Sequence, residues 1–111
     1  MMYVSGGVVS VAPGDGPELP VQLRLAPAQP NPFSNRTTIR YALPRPAHVK
    51  LAVYDVRGRR VAELVNNVQS AGPHQVRWET GRGGRVMSSG VYFLRLDTGG
   101  QVLRRKLVLT R

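Results

Sequence analysis

Apolar and polar side chains alternate one by one along this chain in short runs, and each run is broken by Gly, Pro, Asn or Asp. Successive side chains of a strand point to opposite faces, so this period-two pattern predicts half-buried strands joined by turns. Thr37, Ile39, Tyr41 and Leu43 alternate with Thr38, Arg40 and Ala42 until Pro44 and Pro46 end the run. His48 to Asp55 continues the scheme with Val49, Leu51 and Val53 inward, and the two runs read as adjacent strands. Asp55 to Gly58 then predicts a tight turn in which Gly58 is free to take positive φ.

The remaining segments follow the same rule. Val21, Leu23 and Leu25 share one face of a first strand, followed by AQPNPFSN. There, Pro30 and Pro32 fix two backbone angles and remove two amide donors, so the chain must cross in a turn. Phe33, just beyond, is placed to plug one end of the core. Arg60 to Val65 is ambiguous, since VAELV also suits a helical turn; Val61 and Val65 around Glu63 favour a strand, closed by Asn66, Asn67 and SAGP. Gln75 to Glu79 turns Val76 and Trp78 inward, and Trp78, the sole tryptophan, is the candidate centre of the core. The clearest element is the last hairpin, where Tyr92, Leu94 and Leu96 face Leu103, Leu107 and Leu109 across the DTGG turn.

Seven such strands without a convincing helix predict an all-β fold, an immunoglobulin-like antiparallel β-sandwich of about seven strands. Its core is expected to hold Trp78, Ile39, Leu51, Val53 and Leu94. Residues 1–20, rich in Gly, Pro and Ser, read as a linker or tether, and residues 21–111 as the domain.

A chain of 111 residues has room for one modest core. No cysteine is present, so burial and backbone pairing must hold the fold without disulfides or thiolate metal sites. The formal charge of +10 rests on 16 basic residues against 6 acidic ones. Such a balance raises nucleic acid, anionic polysaccharide and membrane surfaces as partners. The bases, however, alternate singly or in pairs with apolar residues, as on the outward faces of strands. Binding nucleic acid by stacking needs exposed aromatics among the bases, whereas most aromatics here fall at inward positions. No apolar stretch approaches the roughly 20 residues that span a bilayer. The first residues lack the positively charged start of an export signal, so a signal is expected only in a longer precursor of which this chain is a piece.

Catalytic chemistry finds little support. His48 and His74 are the only imidazoles, and each begins a strand after a turn, where histidine is more often structural or solvated. Asp15 and Glu18 lie in the linker, Asp55 and Asp97 occupy turns, and Glu63 with Glu79 makes a poor acid-base pair. Neither HExxH nor an EF-hand spacing occurs, and GRGG from Gly81 to Gly84 lacks the rest of a phosphate-binding loop and reads as a flexible turn. No cofactor, metal site or enzymatic activity is expected. Asn35-Arg36-Thr37 is a glycosylation sequon on paper.

Five strings in order, QPNPFSNRTTIRYALP, VKLAVYDVRGRRVAEL, AGPHQVRWE, SSGVYFLRL and LRRKLVLTR, together resemble the type A C-terminal sorting domain of the type IX secretion system of Bacteroidota and related bacteria. The likeness runs from about Leu23 to Arg111. It implies a domain fused behind a secreted passenger and recognised by an outer-membrane translocon. A sortase-like peptidase would then remove it and join the passenger to anionic lipopolysaccharide at the cell surface. The matching positions are Asn31, Pro32 and Phe33; Tyr54, Asp55 and Gly58; Trp78; Gly90, Val91 and Tyr92; and Lys106, Leu107, Val108 and Leu109.

On that reading the exposed edge of the final strand offers backbone groups for β-augmentation, and the cationic surface favours anionic lipopolysaccharide. Two other readings stay open: an immunoglobulin-like carbohydrate- or protein-binding module, marked by an exposed aromatic platform, and a structural domain like that of the flagellar hook cap.

Overall fold

In the computed structural model of the protein, residues 22–80 and 87–110 are described. They form seven strands: β1 (Arg24–Leu25), β2 (Arg36–Leu43), β3 (Ala47–Asp55), β4 (Arg60–Gln69), β5 (Gly72–Glu79), β6 (Gly90–Thr98) and β7 (Gln101–Leu109). All ladders are antiparallel and make a three-stranded sheet ordered β1-β2-β5 and a four-stranded sheet ordered β4-β3-β6-β7. The inner faces of the two sheets close on a single apolar cluster, which is the immunoglobulin-like sandwich that the alternation requires. The expected linker over residues 1–20, Val21 of the first run and the GRGG turn lie outside the described residues.

The expected adjacency of β2 and β3 is not what forms. β2 pairs with β1 and β5, whereas β3 pairs with β4 and β6, so the chain crosses from one sheet to the other between Leu43 and Ala47. The linking residues Pro44-Arg45-Pro46 explain the crossing. Two fixed φ angles and two missing amide donors do not suit a tight hairpin turn, so neither strand can close on the other.

β4 is a strand of ten residues that runs on through Asn66 and Asn67, which pair with Lys50 and Val49 of β3 instead of ending the run. An edge strand tolerates these amides because their side chains reach water. Two register shifts occur along this ladder, so that Val61 and Leu64 are extra residues opposite β3, while Ala62 and Val65 stand opposite Val53 and Leu51. The bulges account for the helix-like spacing of VAELV: Val61, Ala62, Leu64 and Val65 all pack against or within the core although the segment is extended.

β6 and β7 pair along their full length, from Gly90↔Leu109 to Thr98↔Gln101. The two-residue turn of Gly99 and Gly100 has φ of 57° and 87°, both positive as a type I′ hairpin demands.

The centre of the core is aliphatic: Ile39, Val49, Leu51, Val53, Leu94, Leu96 and Leu107 are all wholly inaccessible. Trp78 is buried, but it sits at one end instead of the centre. Its ring lies 5.5 Å from that of Phe33 and edge-on to Tyr92 at 6.3 Å. A large ring with a polar N–H fills a wide gap between sheet ends more readily than the narrow middle, where branched aliphatics interdigitate. Toward the other end, the Tyr41 hydroxyl of the smaller sheet donates to Gln69 Oε1 of the larger one. Along the side, Arg105 Nε donates to the Leu25 carbonyl at 2.8 Å and ties β7 to β1.

Candidate functional site

The segment between β1 and β2 meets the end of β7, and this corner gathers motif residues from both halves of the sequence. Phe33 enters as a buried plug under Trp78, forming a parallel bridge with Leu109. Its N–H donates to the Val108 carbonyl at 2.9 Å, and its carbonyl accepts from the Thr110 N–H at 2.8 Å. Asn31 completes the arrangement with its side chain, whose Nδ2 donates to the Lys106 carbonyl at 2.9 Å and whose Oδ1 accepts from the Val108 N–H at 2.9 Å. A planar carboxamide carries a donor and an acceptor side by side, so it can mimic the backbone of a neighbouring strand. The Gln29–Pro30 and Asn31–Pro32 peptide bonds are both cis.

This clasp corrects one expectation. The outer edge of β7 from Lys106 to Thr110 is not open for strand addition, because Asn31 and Phe33 already occupy its donors and acceptors. Thr37 holds the clasp from behind: its buried hydroxyl donates to the Pro30 carbonyl at 2.7 Å. Thr80, also buried, ties the end of β5 to the same segment through its N–H to the Asn35 carbonyl at 2.9 Å.

The other motif residues fall in two further places. Asp55 organises the β3–β4 turn: its Oδ1 accepts the N–H groups of Arg57 and Arg59 at 2.9 and 3.0 Å, and its carbonyl accepts from Gly58, whose φ is 84°. The Arg59 N–H, foremost among these contacts, holds the Asp55 carboxyl below its ordinary range. Tyr92 lies inward and donates its hydroxyl to the Ser88 carbonyl at 2.6 Å. A tyrosine at the start of this strand, bonded to backbone a few residues upstream, is the tyrosine corner of immunoglobulin-like sandwiches. Gly90 precedes it at φ 145°. Leu107 and Leu109 are core, whereas Val91, Lys106 and Val108 belong to the outer face of the four-stranded sheet, together with Tyr54.

The titratable groups are dispersed. His48 lies exposed on β3, and His74 stacks on Tyr41 at 5.3 Å and donates from Nε2 to the Ser70 carbonyl at 2.8 Å. Asp55, Glu63, Glu79 and Asp97 each face an arginine, Arg59, Arg60, Arg77 and Arg95 respectively. Among the described residues no group of three metal-binding side chains forms, and no helix is long and apolar enough to cross a membrane.

Sequence reasoning did not find the roles of Asn31, Thr37, Ser88 and Arg105. Each acts on a backbone group of another segment; Thr37 gave a sign in its inward position in an alternating run, and Asn31 only in its place within a familiar string.

The fold and the clasp define an immunoglobulin-like β-sandwich module whose Asn31 segment and last strand are stitched together at one corner. The family of secretion system C-terminal sorting domains matches residues 28–110, and the chain belongs to that family, the type IX sorting domains. The match opens just ahead of the clasp and closes at Thr110, so both halves of the clasp lie inside it. A search of curated proteins returned no match.

Proposed function

We propose that this domain is the label by which a passenger fused ahead of it is exported through the type IX translocon and delivered to the cell surface. A sortase-like peptidase would there separate it from the passenger and join the passenger to anionic lipopolysaccharide. The domain acts as substrate and signal, not as the enzyme, and residues 1–20 serve as the tether to the passenger. The observation that carries this reading is the convergence of Asn31 and Phe33 on Lys106, Val108 and Leu109, inside a family match that spans both ends of the domain. A translocon that accepts unrelated passengers must read something common to all of them, and a closed sandwich presents one shape whatever precedes it.

The clasp makes that shape conditional on the C-terminal strand. Leu107 and Leu109 are 0% and 1% exposed, and without β7 the Asn31 side chain and the Phe33 backbone lose the strand groups they bind. A chain that lacks β7 therefore cannot complete the domain, so the finished shape depends on β7 being present. The test is a reporter fused ahead of the full chain in a host with the type IX system, compared with an Asn31→Ala variant. The reporter is expected outside the cell with the native domain and at reduced yield with the variant. Equal export without any domain would refute the proposal.

A further inference from the structure

The two outer faces of the sandwich differ in a way that the core does not require. On the three-stranded sheet the outward positions are Arg24, Arg36, Thr38, Arg40, Ala42, Pro73, Gln75, Arg77 and Glu79, with no large apolar side chain exposed among them. On the four-stranded sheet, Tyr54 of β3, Phe93 of β6 and Lys106 of β7 are cross-strand partners in one row, and Val91 and Val108 are partners in the next. Phe93 and Val91 are each 36% exposed although a polar residue at either place would leave the core unchanged. One guanidinium, that of Arg95, lies over the Tyr54 ring at 5.9 Å from its centroid.

Cations surround this apolar strip. Arg95 and Arg104 stand directly opposite each other across β6 and β7, an arrangement of like charges that costs folding stability. Among the described residues no ion pair joins a carboxylate to Arg104, Lys106 or Lys50; Asp97, the cross-strand partner of Lys50, pairs with Arg95. A rigid surface with an aromatic and aliphatic centre and a rim in which cations outnumber carboxylates has the composition of a protein-binding interface.

We propose that the outer face of β3, β6 and β7, centred on Phe93 and Val91, docks a partner protein that presents an apolar patch ringed by Asp and Glu. The charge selects that occupant over a second copy of the chain, since two such faces brought together would oppose Lys50, Arg95, Arg104 and Lys106 with themselves. The apolar strip selects it over an anionic lipid or glycolipid headgroup, which would use the cations alone and gain nothing from Phe93. This inference rests on the sorting reading to the extent that the partner belongs to the export machinery.

The experiment places a photo-crosslinking benzoylphenylalanine at Phe93, and as a control at Gln75 on the opposite sheet, in the full chain behind a secreted passenger in a host with the type IX system. Illumination is expected to join position 93, and not position 75, to one protein, through a peptide rich in Asp and Glu. Reversing the rim with Arg104→Glu and Lys106→Glu together should lower that adduct about tenfold. Phe93→Ser, probed from a crosslinker at Val91, should weaken it as well; both substitutions are at the surface, and the melting temperature of each purified variant checks that the fold is kept. Adducts only to lipid or lipopolysaccharide, equal adducts from both positions, no adduct at all, or an adduct indifferent to charge reversal would each overturn the proposal. The two readings fail separately: unaltered export of folded face variants sinks the docking surface alone, whereas retention of the native fusion sinks the sorting label.

Discussion

The side-chain oxygen of Asn31 accepts the backbone N–H of Val108 at 2.9 Å, across 77 residues of sequence. With the Nδ2 bond to Lys106, this one amide does the work of a neighbouring strand on the last two turns of the pleat. Both bonds are exposed, so water can replace them, and Asn31→Ala should cost about 1 kcal/mol rather than the penalty of buried unpaired groups. Urea unfolding measures the loss. Hydrogen exchange should localise it, with the Val108 amide losing protection while the Leu94 amide in the middle of the sheet does not.

Phe33 carries the apolar half of the same corner. Its ring is buried against Trp78, and truncation should leave a cavity that strands on separate sheets cannot collapse. Phe33→Ala is expected to cost about 3–5 kcal/mol, a large share of the roughly 5–15 kcal/mol that stabilises a domain of this kind. Thermal unfolding followed by Trp78 fluorescence reads this directly, because the indole loses its nearest aromatic neighbour.

Local pattern carried the strands of this fold, and long-range pairing decided what they joined. Alternation put Ile39, Leu51, Val53 and Leu94 inside, since a side chain's face depends only on its own run. It could not tell which sheet β2 and β3 belong to, because Pro44-Arg45-Pro46 ends one strand without saying where the next one pairs. Bulges at Val61 and Leu64 broke period two and left the β4 segment looking half helical. The site was legible as a set of strings, but Asn31 acts through bonds to residues 75 and 77 positions away, which no spacing rule reaches. Ring size alone suggested Trp78 as the centre, whereas the register with Thr37 near the end of β2 places it at the corner.

At Gly58 the cost of substitution is purely conformational. A Cβ there would meet nothing within 4 Å, yet φ is +84°. Gly58→Ala should therefore destabilise by about 1–2 kcal/mol, and Gly58→Asn by less, since asparagine tolerates the left-handed region. The order Gly, Asn, Ala in chemical denaturation checks the assignment; a steric origin would make Asn the worst.

Asp55 links stability to acid. Its carboxyl is held below the ordinary range, chiefly by the Arg59 N–H, so the folded state binds its proton less readily than the unfolded state. Its contribution is present above the unfolded value, near 4, and is lost as the pH falls through the lower folded value. The melting temperature of Asp55→Asn is thus expected below that of the native domain at pH 7, with the gap closing under strongly acidic conditions. A gap unchanged down to the acid limit would mean that the ionised carboxylate adds nothing to the turn.

On the proposed function, what export recognises is the completed sandwich, closed by its last strand. Secretion of a reporter fused ahead of the full chain, in a host with the type IX system, tests it most directly when β7 is removed from one sample. The native fusion should reach the medium or cell surface, and the fusion without residues 101–111 should stay in the periplasm. Equal export of both, or retention of both, would rule out the completed sandwich as the export signal.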